Sequence, residues 1–144
     1  MSIEITKNKG YTIPDYSVVK THDAVTADVA EGDADIIDIT GAKSVMIVFT
    51  EGGTVNNRSA DLTLQVSADG STFVDYNMLI DNVTNTNSQD LTRIASKTRA
   101  AAGTDILFMS PETLGSIQFI RLPLDVTDGA SPTGNFTVSV AICR

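Results

Sequence analysis

Apolar and polar side chains alternate over much of the 144-residue chain. Residues 61–66 (DLTLQV) and 135–143 (NFTVSVAIC) carry an apolar side chain at every second position, which is the pattern of a strand with one buried face. Residues 43–50 (KSVMIVFT) are apolar at nearly every position and predict a central strand that is buried on both faces. Shorter runs of strand character lie at 33–39, 72–80, 105–109 and 116–124.

Turn and loop signals separate these runs. Asp69-Gly70 lies between two runs of strand character and predicts a hairpin turn in which the glycine adopts a positive φ. Residues 51–59 (EGGTVNNRS) have the composition of a loop. The polar stretch 81–104 is ambiguous, and within it residues 91–102 fit a short helix that ends at the following glycine.

The order of these elements predicts an all-β fold with at most one short helix. About eight strands favour a two-sheet antiparallel sandwich, jelly-roll-like, because each strand must bury its apolar face against another sheet. A βαβ fold would need helical segments between the strands, and the pattern lacks them. We therefore expect a single β-sandwich domain over residues 17–144. Its predicted core includes Val45, Ile47, Leu62, Leu64, Val66, Phe119, Phe136, Val138 and Val140.

The N-terminal segment, residues 1–16, shows neither helical nor strand periodicity and contains Gly10 and Pro14. We predict that it is an arm outside the core. Its apolar side chains are too many for a purely solvated tail, so we expect the arm to dock on a partner. The alternative is that it folds back as an edge strand of its own sandwich. The apolar side chains are Ile3, Ile5, Tyr11, Ile13 and Tyr16.

The net charge is −8, and the ten basic residues are scattered along the chain. Nucleic-acid binding needs a clustered basic face, so we exclude it, and acidity also disfavours membranes. No apolar run is as long as a membrane span, and the N-terminus lacks a secretory signal pattern, which predicts folding in a cytoplasm. Three basic residues within 81–104 are either a contact for an acidic partner surface or part of an ordinary solvated loop. They are Arg93, Lys97 and Arg99.

The sequence contains no familiar catalytic or cofactor motif. His22 precedes Asp23, but neighbours in a strand point to opposite faces, so we expect a surface or half-buried histidine rather than a catalytic base. Cys143, the single cysteine, excludes an intramolecular disulfide and, with one histidine, the Cys/His zinc patterns. We predict no enzymatic activity and no cofactor. A carboxylate pair for glycoside hydrolysis stays open, because such partners meet only in three dimensions.

Six acidic residues fall within residues 23–38, and Asp33 and Asp35 have the spacing of one strand face. Calcium takes several oxygen ligands from such segments, but the loop pattern of an EF-hand is missing and Ile36-Ile37 interrupts the array. A solvated acidic edge that discourages aggregation between strands explains the same residues. Both interpretations stay open, and we assign no metal ligand.

Three short motifs resemble those of the β-sandwich accessory proteins of tailed-bacteriophage virions. In that family a strand–S-x-DG-S/T–aromatic hairpin recurs with a later aromatic–Ile/Val–Arg–Leu strand and a closing T-G-x-x-T-V strand. The resemblance covers about half of the chain, and the hairpin also resembles parts of discoidin-type carbohydrate-binding sandwiches. The matching residues are Ser67, Asp69, Gly70, Ser71 and Phe73, then Phe119, Ile120, Arg121 and Leu122, then Thr133, Gly134, Thr137 and Val138.

The resemblance implies a capsid decoration (cement) protein or, failing that, a head–tail or tail-surface component. Such a protein is made in the host cytoplasm, binds the major capsid protein or another virion protein on the outer capsid surface, and is commonly a homotrimer. The alternative is a carbohydrate-binding or adhesin-type module of a phage tail or cell surface, which needs exposed aromatic side chains in a groove. The candidates for that role are Tyr11, Tyr16, Phe73 and Tyr76.

Overall fold

The computed structural model describes residues 16–76, 79–81, 92–94, 96–99, 103–109 and 111–144. Within these ranges, strands β1 to β5 are Tyr16–Val25, Ile37–Asp38, Ser44–Thr63, Gln65–Ser67 and Val74–Asp75. Strands β6 to β9 are Leu79–Asp81, Thr92–Ile94, Ser96–Arg99 and Gly103–Met109. A 3₁₀ helix, Pro111–Ser116, precedes β10, Phe119–Arg121, and β11, Leu124–Cys143. In the same ranges, no helix is both long enough and apolar enough to cross a membrane.

The strands form two antiparallel sheets that pack as a sandwich, which confirms the predicted fold class. The large sheet has the order β1-β11-β3-β9-β6-β7, and β8 pairs with the second half of β3. The small sheet has the order β2-β10-β4-β5. The chain passes between the sheets at Leu64, which separates β3 from β4, and at Leu122–Pro123, which separates β10 from β11. Each sheet thus covers the apolar face of the other.

The core lies between the two inner faces, and β3 and β11 supply its centre. Alternate residues of both strands are buried, and the rings of Phe49 and Phe136 meet with their centroids 6.0 Å apart. The predicted core residues that the structure buries are Val45, Ile47, Leu62, Leu64, Val66, Phe136, Val138 and Val140.

Phe119 is the one predicted core residue that is only half-buried, and its neighbour Ile120 is the fully buried residue of β10. The Phe119 ring lies against the hairpin turn, where a β-carbon placed on Gly70 would be 3.4 Å from the ring. A strand of three residues is too short for its periodicity to reveal which face is buried. The prediction therefore placed the buried position of β10 one residue too early.

Strand β3 is central, as predicted, but it is not buried on both faces. Val45, Ile47 and Phe49 are buried, whereas Met46 and Val48 on the opposite face are half-buried. Apolar residues at every position therefore mark a strand with one fully buried face and one partly exposed face.

The segment 51–59, predicted to be a loop, lies inside β3. β3 pairs with β11 along most of its length, and the register shifts twice in this part of the pair. Gly53 and Asn57 adopt positive φ angles of 77° and 54° there, as residues in bulges do. Gly and Asn residues made segment 51–59 look like a loop in the sequence. In the structure, residues of these two types adopt the positive φ angles of the bulges.

The helix predicted over residues 91–102 is also wrong, because this segment contains β7 and β8. β8 pairs with residues 60–63 of β3, and a long-range pairing of this kind overrides local helix propensity. The strand predicted over residues 33–39 is reduced to β2, which has two residues.

A bulge in β1 turns His22 toward the interior. In a regular strand His22 would share the exposed face of Val18 and Lys20, but the register to β11 shifts between Lys20 and His22. His22 is buried, and its Nε2 donates a hydrogen bond to the carbonyl oxygen of Leu122 at 2.6 Å. The expectation of a surface or half-buried histidine is therefore wrong. Asp23 is exposed, so the two residues do not form a catalytic pair.

Candidate functional site

A polar network, which we call the Gln65 network, occupies the end of the small sheet beside the crossings at Leu64 and at Leu122–Pro123. Strand register places Arg121, Gln65 and Asp75 side by side across β10, β4 and β5. Gln65 Nε2 donates to Glu31 Oε1 and Asp75 Oδ1, both at 2.9 Å, and its Oε1 accepts from Arg121 Nε at 2.7 Å. The Arg121 guanidinium carbon lies 4.2 Å from the centroid of the Phe73 ring. Because Gln65 is only 4% exposed, these hydrogen bonds satisfy its amide and fix its orientation.

An open cavity of about 380 Å³ lies beside the Gln65 network. Val29, Pro123 and Leu124 form its apolar wall, and Val29 and Leu124 are joined by two backbone hydrogen bonds of 2.8 and 2.9 Å. Carboxylates line much of the rest, so the cavity offers hydrogen-bond acceptors and negative charge. Its chemistry suits a cationic or donor-rich group and opposes an anion such as phosphate. The carboxylates are those of Asp28, Glu31, Asp61, Asp75 and Asp125.

The predicted hairpin turn is built around Ser67 and Asp69. Ser67 Oγ accepts hydrogen bonds from the N–H of Asp69 (3.2 Å) and of Gly70 (2.9 Å). Asp69 Oδ1 accepts from the N–H of Ser71 and of Thr72, both at 2.8 Å. These backbone donors, with the Ser67 hydroxyl, lower the pKa of Asp69 to about 2. Gly70 has a φ of 77°, as predicted, so the S-x-DG-S motif of this hairpin encodes a turn.

Arg58 and Asp128 hold the bulged part of the β3–β11 pair together. Arg58 Nε and Nη2 donate to the two carboxylate oxygens of Asp128 at 2.7 and 3.0 Å, and Nη1 donates to the carbonyl of Gly134 at 2.6 Å. The hydrogen bond from Arg58 lowers the pKa of Asp128, and the same bond raises the pKa of Arg58. Arg58 thus stabilises this part of the strand pair through charge-assisted hydrogen bonds.

The outer face of the large sheet is formed by residues of β1, β11, β3 and β9 that point away from the small sheet. Residues in register across antiparallel strands share a face, so three rows follow from the pairing. The first row is Val18, Ala141, Met46 and Phe108; the second is Lys20, Ser139, Val48 and Ile106; the third is Thr137, Thr50 and Thr104. Val18 is 59% exposed, and Ile106 and Phe108 are each 37% exposed.

The predicted interaction residues that the structure describes lie on three different strands. Arg93 lies in β7, opposite Ile80 of β6, whereas Lys97 and Arg99 lie in β8, which pairs with β3. Tyr16 is the first residue of β1, opposite Cys143. The predicted arm residues Ile3, Ile5, Tyr11 and Ile13 lie outside the described residues.

The aromatic side chains proposed for sugar stacking are engaged where the structure describes them. Tyr76 is 5% exposed and belongs to the core. Phe73 is half-buried, and the Arg121 guanidinium covers one face of its ring. The side chains of Tyr11 and Tyr16 lie outside the described residues. Neither described ring presents the open platform that carbohydrate binding uses.

Calcium binding by the acidic segment 23–38 gains no support from its geometry. Among the residues that the structure describes, no three side chains of His, Cys, Asp or Glu come close enough together to hold a metal ion. The six carboxylates of this segment, all described, are exposed. Asp28 Oδ1 accepts a hydrogen bond from the N–H of Val126 at 2.6 Å, which is a structural role.

Comparison with known proteins gives a likeness of fold to a solved structure. A scan against family models and a search of curated proteins both give no match. The crystal structure of SPBc2 prophage-derived protein YomS is similar to this chain with a TM-score of 0.57, over 92% of this chain and 96% of that chain. The sequence identity is 17%, so the likeness is one of fold.

Sequence reasoning missed both the Gln65 network and the outer face. Gln65 and Arg121 are polar residues inside apolar runs, and that interruption is a signal of a buried polar pair. The outer face gives no local signal, because its rows combine residues from four strands that are far apart in the sequence.

Proposed function

We propose that this chain is a non-enzymatic structural protein of a tailed-phage virion, which binds the outer surface of the capsid and stabilises it as a decoration protein. The observation that carries the proposal is the likeness in fold, over nearly the full length of both chains, to a prophage-derived protein. The sequence motifs that resemble those of phage virion proteins support the same origin. The major capsid protein is the proposed partner.

Three described polar side chains, His22, Gln65 and Arg121, have structural roles that favour a binding protein over an enzyme built on them. His22 is buried, and its Nε2 is used by the Leu122 carbonyl. Gln65 and Arg121 are committed to each other and to neighbouring carboxylates. General acid–base chemistry needs a titratable group that can reach a substrate, and these groups stabilise the fold instead.

The arm supplies the proposed means of attachment. Residues 1–15 precede β1, which lies at one edge of the large sheet among the strands that the structure describes. Ile3, Ile5, Tyr11 and Ile13 would each contribute about 1.5–3 kcal/mol if fully buried on a neighbouring protein, before the cost of ordering the chain. On a capsid the same contact is repeated at many sites, and self-association of the decoration protein adds avidity.

Deleting residues 1–15 tests the proposal, because this deletion leaves β1 intact from Tyr16 onward. We expect the truncated protein to keep its melting temperature and to lose most of its co-sedimentation with empty capsids of the phage that encodes the chain. A full-length variant with Ile3, Ile5, Tyr11 and Ile13 all replaced by Ser separates loss of apolar contacts from loss of length, and it should behave like the deletion.

Three outcomes would contradict this proposal. If the full-length protein sediments with purified tails and not with capsids, the head location is wrong. If it binds neither but binds an immobilised glycan, the carbohydrate-binding alternative replaces it. If the deletion lowers the melting temperature, the arm belongs to the sandwich and is not the attachment element.

A further inference from the structure

We infer that the outer face of the large sheet binds a second copy of this chain, face to face about a two-fold axis. The inference concerns how copies associate with each other and does not rest on capsid binding. It names a surface and a symmetry, and it favours a pair over the trimer that the family resemblance implies.

The first row of the outer face is apolar on all four strands, and Val48 and Ile106 extend this apolar part into the second row. Val18 lies on β1 at one side and Phe108 on β9 at the other; between them in the same row, Met46 is half-buried and Ala141 is 7% exposed. Val18 is 59% exposed and Phe108 is 37% exposed, so the ends of the row are open to solvent. Contiguous apolar patches on an otherwise polar surface mark sites where a partner binds.

Charge favours a second copy as that partner. The chain carries a net charge of −8, so most approaches of one copy to another bring carboxylates together. The three rows of the outer face contain no Asp or Glu, and their one charged residue, Lys20, lies 3.6 Å from Asp23 in an ion pair. The Asp23 carboxylate lies beside the face, but Lys20 offsets its charge, so repulsion between carboxylates is weak when two copies meet here.

The polar residues of the outer face are self-complementary. Thr50 Oγ1 and Thr104 Oγ1 lie 3.1 Å apart, and Thr137 completes their row. A hydroxyl both donates and accepts hydrogen bonds, so it can pair with the same group of another copy, whereas a carboxylate only accepts. A two-fold interface requires this property, because the same patch faces itself.

The size of the face predicts a weak pair. Four strands about 4.8 Å apart and three rows of same-face residues cover roughly 400 Å². This is about half of the roughly 800 Å² per partner of a standard stable interface, so we expect a weak and reversible pair. Such a pair forms where the local concentration is high, as on a repeating surface.

Sedimentation equilibrium over a dilution series tests the inference with two matched variants. Val18 on the outer face and Val74 on the small sheet are both 59% exposed, so Val18→Glu and Val74→Glu add the same charge at positions of equal exposure. We expect Val18→Glu to raise the dissociation constant of the dimer at least tenfold and Val74→Glu to change it by less than threefold. Phe108→Glu, at the other side of the face, should behave like Val18→Glu.

Val18→Lys separates contact from charge. This change makes the net charge less negative, so it strengthens an association limited by overall repulsion but weakens one that buries Val18. We expect weakening, with circular dichroism of each variant confirming that the fold is kept. A wild-type protein that stays monomeric, a trimeric mass, or equal effects of Val18→Glu and Val74→Glu would each overturn the inference.

Two other occupants of the face have distinct signatures. If Val18→Glu and deletion of residues 1–15 lower the melting temperature of a monomer equally, the N-terminal segment covers the face. If the wild type is monomeric and Val18→Glu weakens capsid co-sedimentation, a virion partner covers it. Either result overturns the inference. The first also contradicts attachment through the arm, whereas the second leaves the capsid-binding proposal intact.

Discussion

Asp69 is an exposed carboxylate whose properties are set by the turn around it. Ser67, Ser71 and Thr72 all donate hydrogen bonds to it, and a hydrogen-bonded carboxylate resists protonation. The Asp-Gly dipeptide predicted both the turn and the positive φ of Gly70, because these depend on neighbouring residues only.

Because the pKa of Asp69 is lowered, the stability of the hairpin depends on pH in the acid range. The pKa of Asp69 is about 2 in the folded chain, against an ordinary value of 3.8. Since the folded pKa is the lower one, the contribution of the carboxylate is present above about pH 4 and is lost as the pH falls toward about 2. We expect the urea midpoint to fall across this window, and Asp69→Asn to make the fall shallower.

The measurement is urea unfolding at a series of pH values, together with an NMR titration of the Asp69 carboxyl. Asp33→Asn is a suitable control, because Asp33 is an exposed carboxylate outside the turn. An Asp69 carboxyl that titrates near pH 4 would show that its hydrogen bonds do not persist in solution.

Most strands could be predicted from sequence, because alternation of apolar residues depends only on which face is buried. The errors fall where partner strands decide the outcome. The segment 51–59 is part of β3 because of its bulged pairing with β11. Residues 96–99 form β8 because they pair with β3. His22 faces the core because of a bulge, and no local pattern in the sequence reports that.

Strands β3 and β11 carry the centre of the core, so a deletion of side-chain volume there tests the packing of the sheets. Phe136 is 0% exposed, and its ring lies 6.0 Å from that of Phe49. We expect Phe136→Ala to reduce the free energy of unfolding by about 3–5 kcal/mol, as the transfer of the ring and the cavity left behind both cost stability.

Denaturant unfolding measures this loss, and Val74→Ala is the control because Val74 is 59% exposed on β5. The control should lie within about 0.5 kcal/mol of the wild type. Equal effects of the two substitutions would mean that Phe136 is not packed between the sheets.

At the scale of the whole molecule, the surfaces that matter are assembled from distant parts of the chain. The Gln65 network joins the segment after β1 to β4, β5 and β10, and the outer face joins both ends of the chain to its middle. Sequence can identify the members as polar or apolar, but only strand register shows which of them are neighbours. The candidate site was therefore far less predictable than the fold class.

The same long-range pairing predicts that the two sheets unfold together. They share one core, and the crossings at Leu64 and at Leu122–Pro123 are buried between them. Loss of the small sheet would expose the inner face of the large one, including Phe49 and Phe136, so an intermediate with one sheet is disfavoured. We expect a single cooperative transition, with slow refolding because most strand pairs are distant in sequence.

Two optical probes can test this cooperativity. Tyr76, which follows β5 and is 5% exposed, reports on the small sheet through tyrosine fluorescence, and the chain contains no tryptophan to mask it. Far-UV circular dichroism reports mainly on the long strands of the large sheet. We expect the two urea curves to coincide, with Tyr76→Phe identifying the part of the fluorescence change that belongs to Tyr76. If the fluorescence of Tyr76 changes at a lower urea concentration than the circular dichroism, the small sheet unfolds first. The two sheets would then not unfold as one cooperative unit.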